Sequence, residues 1–365
     1  MTDAASLPRY HLLGRSGLRV SPLALGTMTF GTEWGWGSPR ETAHQLLAHY
    51  LAAGGNFIDT ADGYTQGTSE KLIGEYFHSA GGRDRAVLAT KFSLGSTPGD
   101  PNSGGNGRKN IYRALEGSLR RLQTDYVDLL WLHAWDGMTP VEEVMAALSE
   151  LVRAGKVRYV GLSDVPAWYF ARAQTLAEQE GLPRIIGLQL EYSLVERNVE
   201  REHLPAALHL GAGLVAWSPL GSGILTGKYT RTGNAPRGAG RLEALVASGN
   251  PAFTKLFTER NWSIVDALVE AARALGKPPA QVALAWTLRR PGVSALIVGA
   301  TRLDQLEANL AAADLVLPED VAQRLEEVSR PERVHPYHFF EEPLFAGMHS
   351  GGTALRAEPE WFRPA

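Results

Sequence analysis

Asp59, Tyr64, Lys91 and His133 are the residues of this chain whose types and placement could do chemistry together. Each stands at or just after the end of a short apolar run: Asp59 and Tyr64 in FIDTADGY, Lys91 in VLATKF and His133 in YVDLLWLH. A lysine inside an apolar strand pattern is costly unless it is paired, and Asp59 supplies the opposite charge. A buried ammonium beside a phenol favours the phenolate, so Lys91 is expected to lower the pKa of Tyr64 and make it a proton donor usable near neutral pH. Taken singly, the residues have structural readings. Asp59 can cap a turn, Tyr64 can be a surface turn residue after Gly63, and His133 can be a satisfied core histidine. Together they describe a device for acid catalysis. A competing chemistry makes Lys91 the Schiff-base nucleophile of an aldolase; Asp59 argues against it, because a carboxylate holds the amine protonated.

Such residues meet only if the strand ends that carry them are neighbours. Short apolar runs predict strands near Leu23–Leu25, Phe57–Thr60, Ala86–Phe92, Val127–His133, Val157–Ser163, Ile185–Leu190, Leu214–Ser218 and Ala295–Val298. Between them, apolar residues recur at three- and four-residue steps in Glu41–Ala53, Glu70–Phe77, Ile111–Leu122, Val141–Ala154, Tyr169–Glu180 and Ser263–Leu275, as helices with one buried face require. Strand followed by helix, repeated eight times, predicts an α/β fold, the (β/α)8 or TIM barrel, whose site lies at the C-terminal strand ends. One domain is expected over residues 1–365, with a core at about 13–328 and a C-terminal extension at 329–365. Tyr10–Ser21 reads as an N-terminal β-hairpin turning at Arg15-Ser16-Gly17 and plugging the barrel floor. Gly95–Arg108 and Leu220–Phe257 read as long loops after strands three and seven. The tail after Pro331 carries Tyr337, Phe339, Phe340, Phe345 and Trp361, and is expected to cover the barrel mouth or mediate self-association.

Composition narrows the classes of function. The chain has 365 residues, 44% of them hydrophobic, enough for a large core. A formal net charge of -3 gives no reason to expect nucleic acid or an anionic membrane as partner. There are no cysteines, which excludes disulfides, thiolate catalysis and cysteine-ligated metals. Metal catalysis is not expected, since no HExxH pair is present and His335-Pro336-Tyr337-His338 reads as a loop-like part of the tail. MTDAASLPRY lacks the pattern of a secretory signal and no apolar run has the length of a membrane span, so a cytoplasmic protein is expected. Outer helices of a barrel can stay solvated or pair, which leaves a homo-oligomer open.

From roughly Leu13 to Leu325 the chain resembles the aldo-keto reductase family. The carriers are GGNFIDTADGYTQG, with Gly55, Asp59 and Tyr64 in register, then Lys91 in ATKF and His133 in DLLWLH. GLSD, QLEYSLVER, AWSPLGSGILTGKY and VGATRLDQLEANL follow in order; Asp164 stands in GLSD where asparagine is more usual, and Ala308 where a glutamate is usual. The resemblance implies NADPH extended across the barrel mouth without a Rossmann domain, and the sequence has no GxGxxG turn in a strand-to-helix setting. It places the nicotinamide against Trp217, with its carboxamide at Ser163, Asp164 and Gln189, and with Gly26, Thr27 and Met28 beneath. It places the pyrophosphate at Ser218, Leu220, Gly221 and Gly223 with Lys228 and Arg241 as charges. It places the adenosine end at Thr301, Arg302, Gln305 and Asn309, where Arg302 suits a 2′-phosphate. The implied reaction is reduction of an aldehyde or ketone with Tyr64 as acid. The family also includes potassium-channel beta subunits, so an NADPH-binding redox sensor with slow turnover is the second implication. Trp34, Trp36 and Trp135, on the first and fourth strand-to-helix loops, are expected to wall a pocket for an apolar or planar carbonyl compound.

Overall fold

Residues of the inner strands alternate between two apolar environments, and that alternation sets the whole architecture. In the computed structural model, which describes residues 7, 9–232, 235–237, 256–341 and 347–353, eight parallel strands close into a barrel. They are β3 (Leu23–Gly26), β4 (Phe57–Asp59), β5 (Val87–Phe92), β6 (Val127–Leu132), β7 (Val157–Ser163), β8 (Ile185–Glu191), β9 (Gly213–Trp217) and β12 (Val293–Gly299), with β12 closing on both β3 and β9. All eight runs fall where the apolar segments predict them, with ends that coincide or differ by at most two residues. Phe57, Val87, Ala89, Leu129, Trp131, Val215 and Ala295 form the cluster inside the barrel, while Ile58, Leu88, Phe92, Leu130 and Leu132 pack in the cluster shared with the helices. With a side-chain period of two, the next inward positions are Asp59 after Phe57, Lys91 after Ala89 and His133 after Trp131, each at or just past the C-terminal end of its strand. The barrel therefore places three of the four chemical residues at its C-terminal mouth.

The outer layer follows from helical periodicity. The first five crossovers carry α1 (Arg40–Ala52), α2 (Thr68–Ala80), α3 (Arg108–Leu122), α4 (Val141–Arg153) and α5 (Ala167–Glu180). They continue with α6 (His203–Leu210), α7 (Glu259–Leu275), α8 (Pro279–Leu288), α9 (Leu303–Leu310) and α10 (Glu319–Ser329). In α4, Val141, Val144, Met145, Leu148 and Leu151 are buried, Glu142 and Glu143 stand in the first turn and Arg153 in the last. That is one apolar face with charges complementing the helix dipole.

The floor is closed by the predicted hairpin. β1 (His11–Leu12) pairs antiparallel with β2 (Arg19–Val20), and Leu13 and Val20 are fully buried against the inward residues of the barrel. Gly14 makes this approach feasible: its φ is +57°, and a Cβ there would come within 2.6 Å of the Gly211 carbonyl and 2.8 Å of the Gly213 nitrogen.

Of three decorations, one is as expected and two are only partly so. The segment after β5 stays irregular until α3 begins at Arg108. The segment after β9 is not simply loop: it holds a 3-10 turn at Gly221–Thr226 and a hairpin of β10 (Thr230–Thr232) with β11 (Ala235–Arg237), while 238–255, including Arg241, lie outside the described residues. The tail is not wholly loop-like either, since α11 (Tyr337–Glu341) begins within the histidine-containing stretch. It is tied beside the exit of β8, where Tyr337 donates to Glu202 and Arg201 donates to the Glu332 carbonyl at 2.9 Å. Phe345 and Trp361 lie outside the described residues. Among the described residues no helix is long and apolar enough to cross a membrane.

Trp131 fills the barrel beneath the charged layer because Gly161 and Gly187 leave it room. A Cβ on Gly161 would overlap the indole, and one on Gly187 would sit 3.0 Å from it. Gly161→Ala is therefore expected to lower stability by about 1–3 kcal/mol, read from urea unfolding. Unchanged stability would mean that the indole is not wedged there.

Candidate active site

Lys91 is the centre of the site. Its ammonium is buried and donates to the Asp59 carboxylate, to the Thr60 carbonyl at 2.8 Å and to the Tyr64 hydroxyl at 3.2 Å. An ammonium has three donors, and all three are used. Asp59 is held from its other oxygen as well, since the Gln189 amide donates to Oδ2 at 2.9 Å. Its carbonyl accepts from both the backbone and the hydroxyl of Thr27, each at 3.0 Å. Gly26 pairs in register with Asp59 on the adjacent strand.

Tyr64 reaches this ammonium from a turn that sterics disfavour. It opens the 3-10 turn Tyr64–Gly67, in which Thr65 and Gln66 have φ of 46° and 56°. The left-handed threonine is kept there by its hydroxyl, which donates to the Phe30 carbonyl at 2.6 Å and accepts from the Ser69 N–H at 3.1 Å. The His133 ring meets Tyr64 edge-on, with centroids 5.8 Å apart. The sequence brings all four chemical residues together, as expected.

The electrostatics differ from the expectation in one respect. Burial pushes the Tyr64 phenol up, the Lys91 charge pulls it down and the Asp59 charge pushes it up again, so the net direction is upward rather than downward. Desolvation of the phenolate outweighs the ammonium in the unliganded site. For Lys91, burial pulls the amine down, but the Asp59 charge and the Tyr64 oxygen outweigh it and the net direction is upward. A lysine so held is charged and a poor nucleophile, which disfavours Schiff-base chemistry. Burial, and then repulsion from Lys91, lower His133 to about 3. It is a neutral imidazole, with one donor and one acceptor nitrogen.

The residues expected around a nicotinamide lie on the adjoining strand ends. Ser163 and Gln189 pair in register, and the Asp164 N–H donates to the Gln189 carbonyl at 3.2 Å. Asp164 has φ of 45°, and its carboxylate accepts from the Trp217 indole at 3.0 Å, so the departure from asparagine leaves a side chain that tethers the tryptophan. Gln189 aims its amide at Asp59, a role the sequence reading did not include. Met28 and Trp217 are partly exposed at the mouth.

Farther out, the Ser218–Gly223 turn exists, with Ser218 and Gly221 at positive φ. Its Gly221, Ser222 and Gly223 N–H groups are paired within the turn, to Ser218 and Leu220. Lys228 follows the turn, exposed and beside the Tyr229 ring. At the start of α9, Gln305 accepts from the Thr301 N–H at 3.0 Å, and Asn309 is buried on the same helix. Arg302 is exposed and forked onto Asp304 at 2.9 Å, a pairing that the sequence reading lacked.

Trp34 and Trp36 lie 5.4 Å apart on the loop after β3, and Trp135 on the loop after β6 donates its backbone N–H to the Asp164 carbonyl at 3.2 Å. Trp135 also meets Trp168 edge-on at 5.7 Å. Trp168 opens α5 and is largely exposed; in the sequence it reads as one more apolar residue of PAWYF.

With this geometry in view, the relatives agree. The model of the aldo/keto reductase family matches residues 22–330. The chain is 37% identical over 329 residues to the uncharacterized oxidoreductase YrpG of Bacillus subtilis, covering 87% of this chain and 95% of that protein. It is 35% identical over 362 residues to norsolorinic acid reductase B of Aspergillus parasiticus, covering 96% and 92%. It is 34% identical over 337 residues to an aryl-alcohol dehydrogenase [NADP(+)] of Phanerodontia chrysosporium, covering 89% and 86%. The chain belongs to the aldo/keto reductase family, and is an NAD(P)H-dependent oxidoreductase. The residues present fit such a cofactor: Ser163 Oγ is buried with no partner beside Gln189 and Asp164, the kind of unsatisfied polar atom that a carboxamide could meet.

The depressed His133 also predicts a pH dependence of stability. Between its unfolded value of 6.5 and about 3, the unfolded chain takes up a proton that the folded chain refuses. Stability therefore falls as pH drops through that window, by a few kcal/mol at about 1.4 kcal/mol per unit. His133→Asn should flatten that part of a plot of denaturation midpoint against pH. An unchanged slope would show that His133 accepts its proton in the fold.

Proposed function

We propose that this protein reduces the carbonyl group of aromatic or otherwise planar aldehydes or ketones with NADPH, using Tyr64 as the general acid. The observation that carries the reading is a buried ammonium shared between a carboxylate and a phenol, with a neutral imidazole edge-on to that phenol, at the mouth of the barrel. A bound reduced nicotinamide would supply hydride to the carbonyl carbon. Tyr64 gives its proton to the carbonyl oxygen as negative charge gathers there. Lys91 stabilises the phenolate left behind, and Asp59, with Gln189 on its second oxygen, keeps the ammonium aimed. His133 offers an N–H to the same oxygen and orients it.

For the cofactor, Ser163, Asp164, Gln189 and Trp217 would hold the nicotinamide, and Gly26, Thr27 and Met28 would lie beneath it. Ser218, Leu220, Gly221, Gly223 and Lys228 would take the pyrophosphate, with Thr301, Arg302, Gln305 and Asn309 at the adenosine. Preference for NADPH is supported by Arg302, whose partner Asp304 is an exposed carboxylate that a 2′-phosphate can displace, and by the relative named for NADP(+). The aromatic class of substrate is supported by the partly exposed Trp34, Trp36 and Trp135, and by relatives named for norsolorinic acid and aryl alcohols.

Tyr64→Phe removes the proton but keeps the ring. NADPH binding, read by nicotinamide fluorescence, should persist, while kcat for an aromatic aldehyde falls about 100- to 10,000-fold. Turnover within a few-fold of the parent would take Tyr64 out of the acid role. A parent protein that binds NADPH but reduces no carbonyl across a panel of aldehydes, ketones and quinones would favour a redox sensor.

A further inference from the structure

We propose that Ser93 is a positioning residue that sets His133 through a strained, hydroxyl-locked brace to Asn106. Ser93 immediately follows Phe92, the last residue of β5, with φ of 121°, a conformation that side chains other than glycine rarely adopt. A serine persists there because its surroundings hold it. Its hydroxyl donates to Asn106 Oδ1 at 2.6 Å and accepts from the His133 N–H at 3.1 Å, while the same N–H also reaches the Phe92 carbonyl at 3.0 Å. Its carbonyl accepts from the Gly105 N–H at 2.7 Å.

Asn106 completes the brace from the far end of the loop. Fully buried, it donates from Nδ2 to the Ala134 carbonyl at 2.9 Å and from its backbone N–H to Asp136 at 2.8 Å. The backbone is thereby held at the His133 N–H by Ser93 and at the Ala134 carbonyl by Asn106, and the Ser93 hydroxyl joins the two. His133 itself makes no side-chain hydrogen bond at its buried Nδ1, so its ring is aimed by its backbone and packing. Unpaired at that nitrogen, the ring depends on the frame beneath it. The hydrogen bonds that keep Ser93 in its costly conformation also fix the backbone that carries the imidazole beside Tyr64.

The inference rests on the role given to His133 in the proposed reaction, and a double-mutant cycle tests it in the full-length protein. Ser93→Gly accepts the backbone angle and removes only the hydroxyl, so the fold should be retained, which a circular-dichroism spectrum matching the parent's would confirm. In the parent background kcat should fall roughly tenfold with KM and NADPH affinity nearly constant. In a His133→Ala background the same change should alter kcat less than about twofold. Equal falls in both backgrounds, or no fall beside an intact His133, would overturn the proposal. Nitrogen-15 histidine spectra give a readout free of turnover: Ser93→Gly should move the His133 ring signals, and unmoved signals would overturn it as well. A parent protein that reduces no carbonyl defeats the functional reading, and the ring signals alone then decide whether the brace exists.

Discussion

The ion pair of Lys91 with Asp59 is the constraint that everything else in this molecule serves. Taking two charges out of water costs several kcal/mol per ion, and the attraction between them repays that only when the geometry is close and the remaining donors and acceptors are filled. Here they are filled: the ammonium spends its other protons on Thr60 and Tyr64, and the carboxylate takes the Gln189 amide. A closed barrel provides this because β4 and β5 are hydrogen-bonded neighbours: Lys91 stands two residues beyond Ala89, the register partner of Asp59, on the same inward face, so the two side chains meet in one charged layer at the mouth. Trp131 and the hairpin plug then keep water from reaching that layer from below.

Within that layer, environment assigns each proton. Burial and Lys91 keep His133 uncharged, so it can orient an oxygen but has no cationic proton to give. Lys91 keeps its protons because Asp59 is beside it. Tyr64 is left as the group with both a proton and a charge waiting to compensate its loss. Its pKa is raised in the unliganded site, so Lys91 does not act by making phenolate at rest. In the proposed reaction it would act on the charge that develops during transfer, where a fixed positive partner in a water-poor site is strongest.

How much of this the sequence discloses depends on the range of the interaction. The runs VLATKF and VDLLWLH are buried on both faces, so continuous apolar stretches mark them as inner strands, and a lysine inside one announces a partner. Lys91 and His133 were legible for that reason, Asp59 as the charge partner that the lysine requires, and Tyr64 from its place in the FIDTADGY motif rather than from any strand pattern. Effects that depend on a balance were not. The direction of the Tyr64 shift turns on how deeply the phenol is buried, which no spacing encodes. Gln189 was legible as a strand-end polar residue, but its aim at Asp59 is a contact across 130 positions. Arg302 was legible as a cation at a helix start, whereas its fork onto Asp304 depends on a rotamer. Ser93 and Asn106 sit in a stretch rich in Gly, Ser, Pro and Asn that reads only as loop, because backbone strain has no residue type of its own.

Whether the Lys91 charge acts directly on the Tyr64 phenol can be read from a carbon-13 tyrosine titration of Tyr64 in the parent protein and in Lys91→Met. Removing the ammonium should move the phenol's titration to still higher pH, since burial remains and the Lys91 charge that opposed it is gone. A Tyr64 signal that titrates identically with and without Lys91 would contradict that direct action.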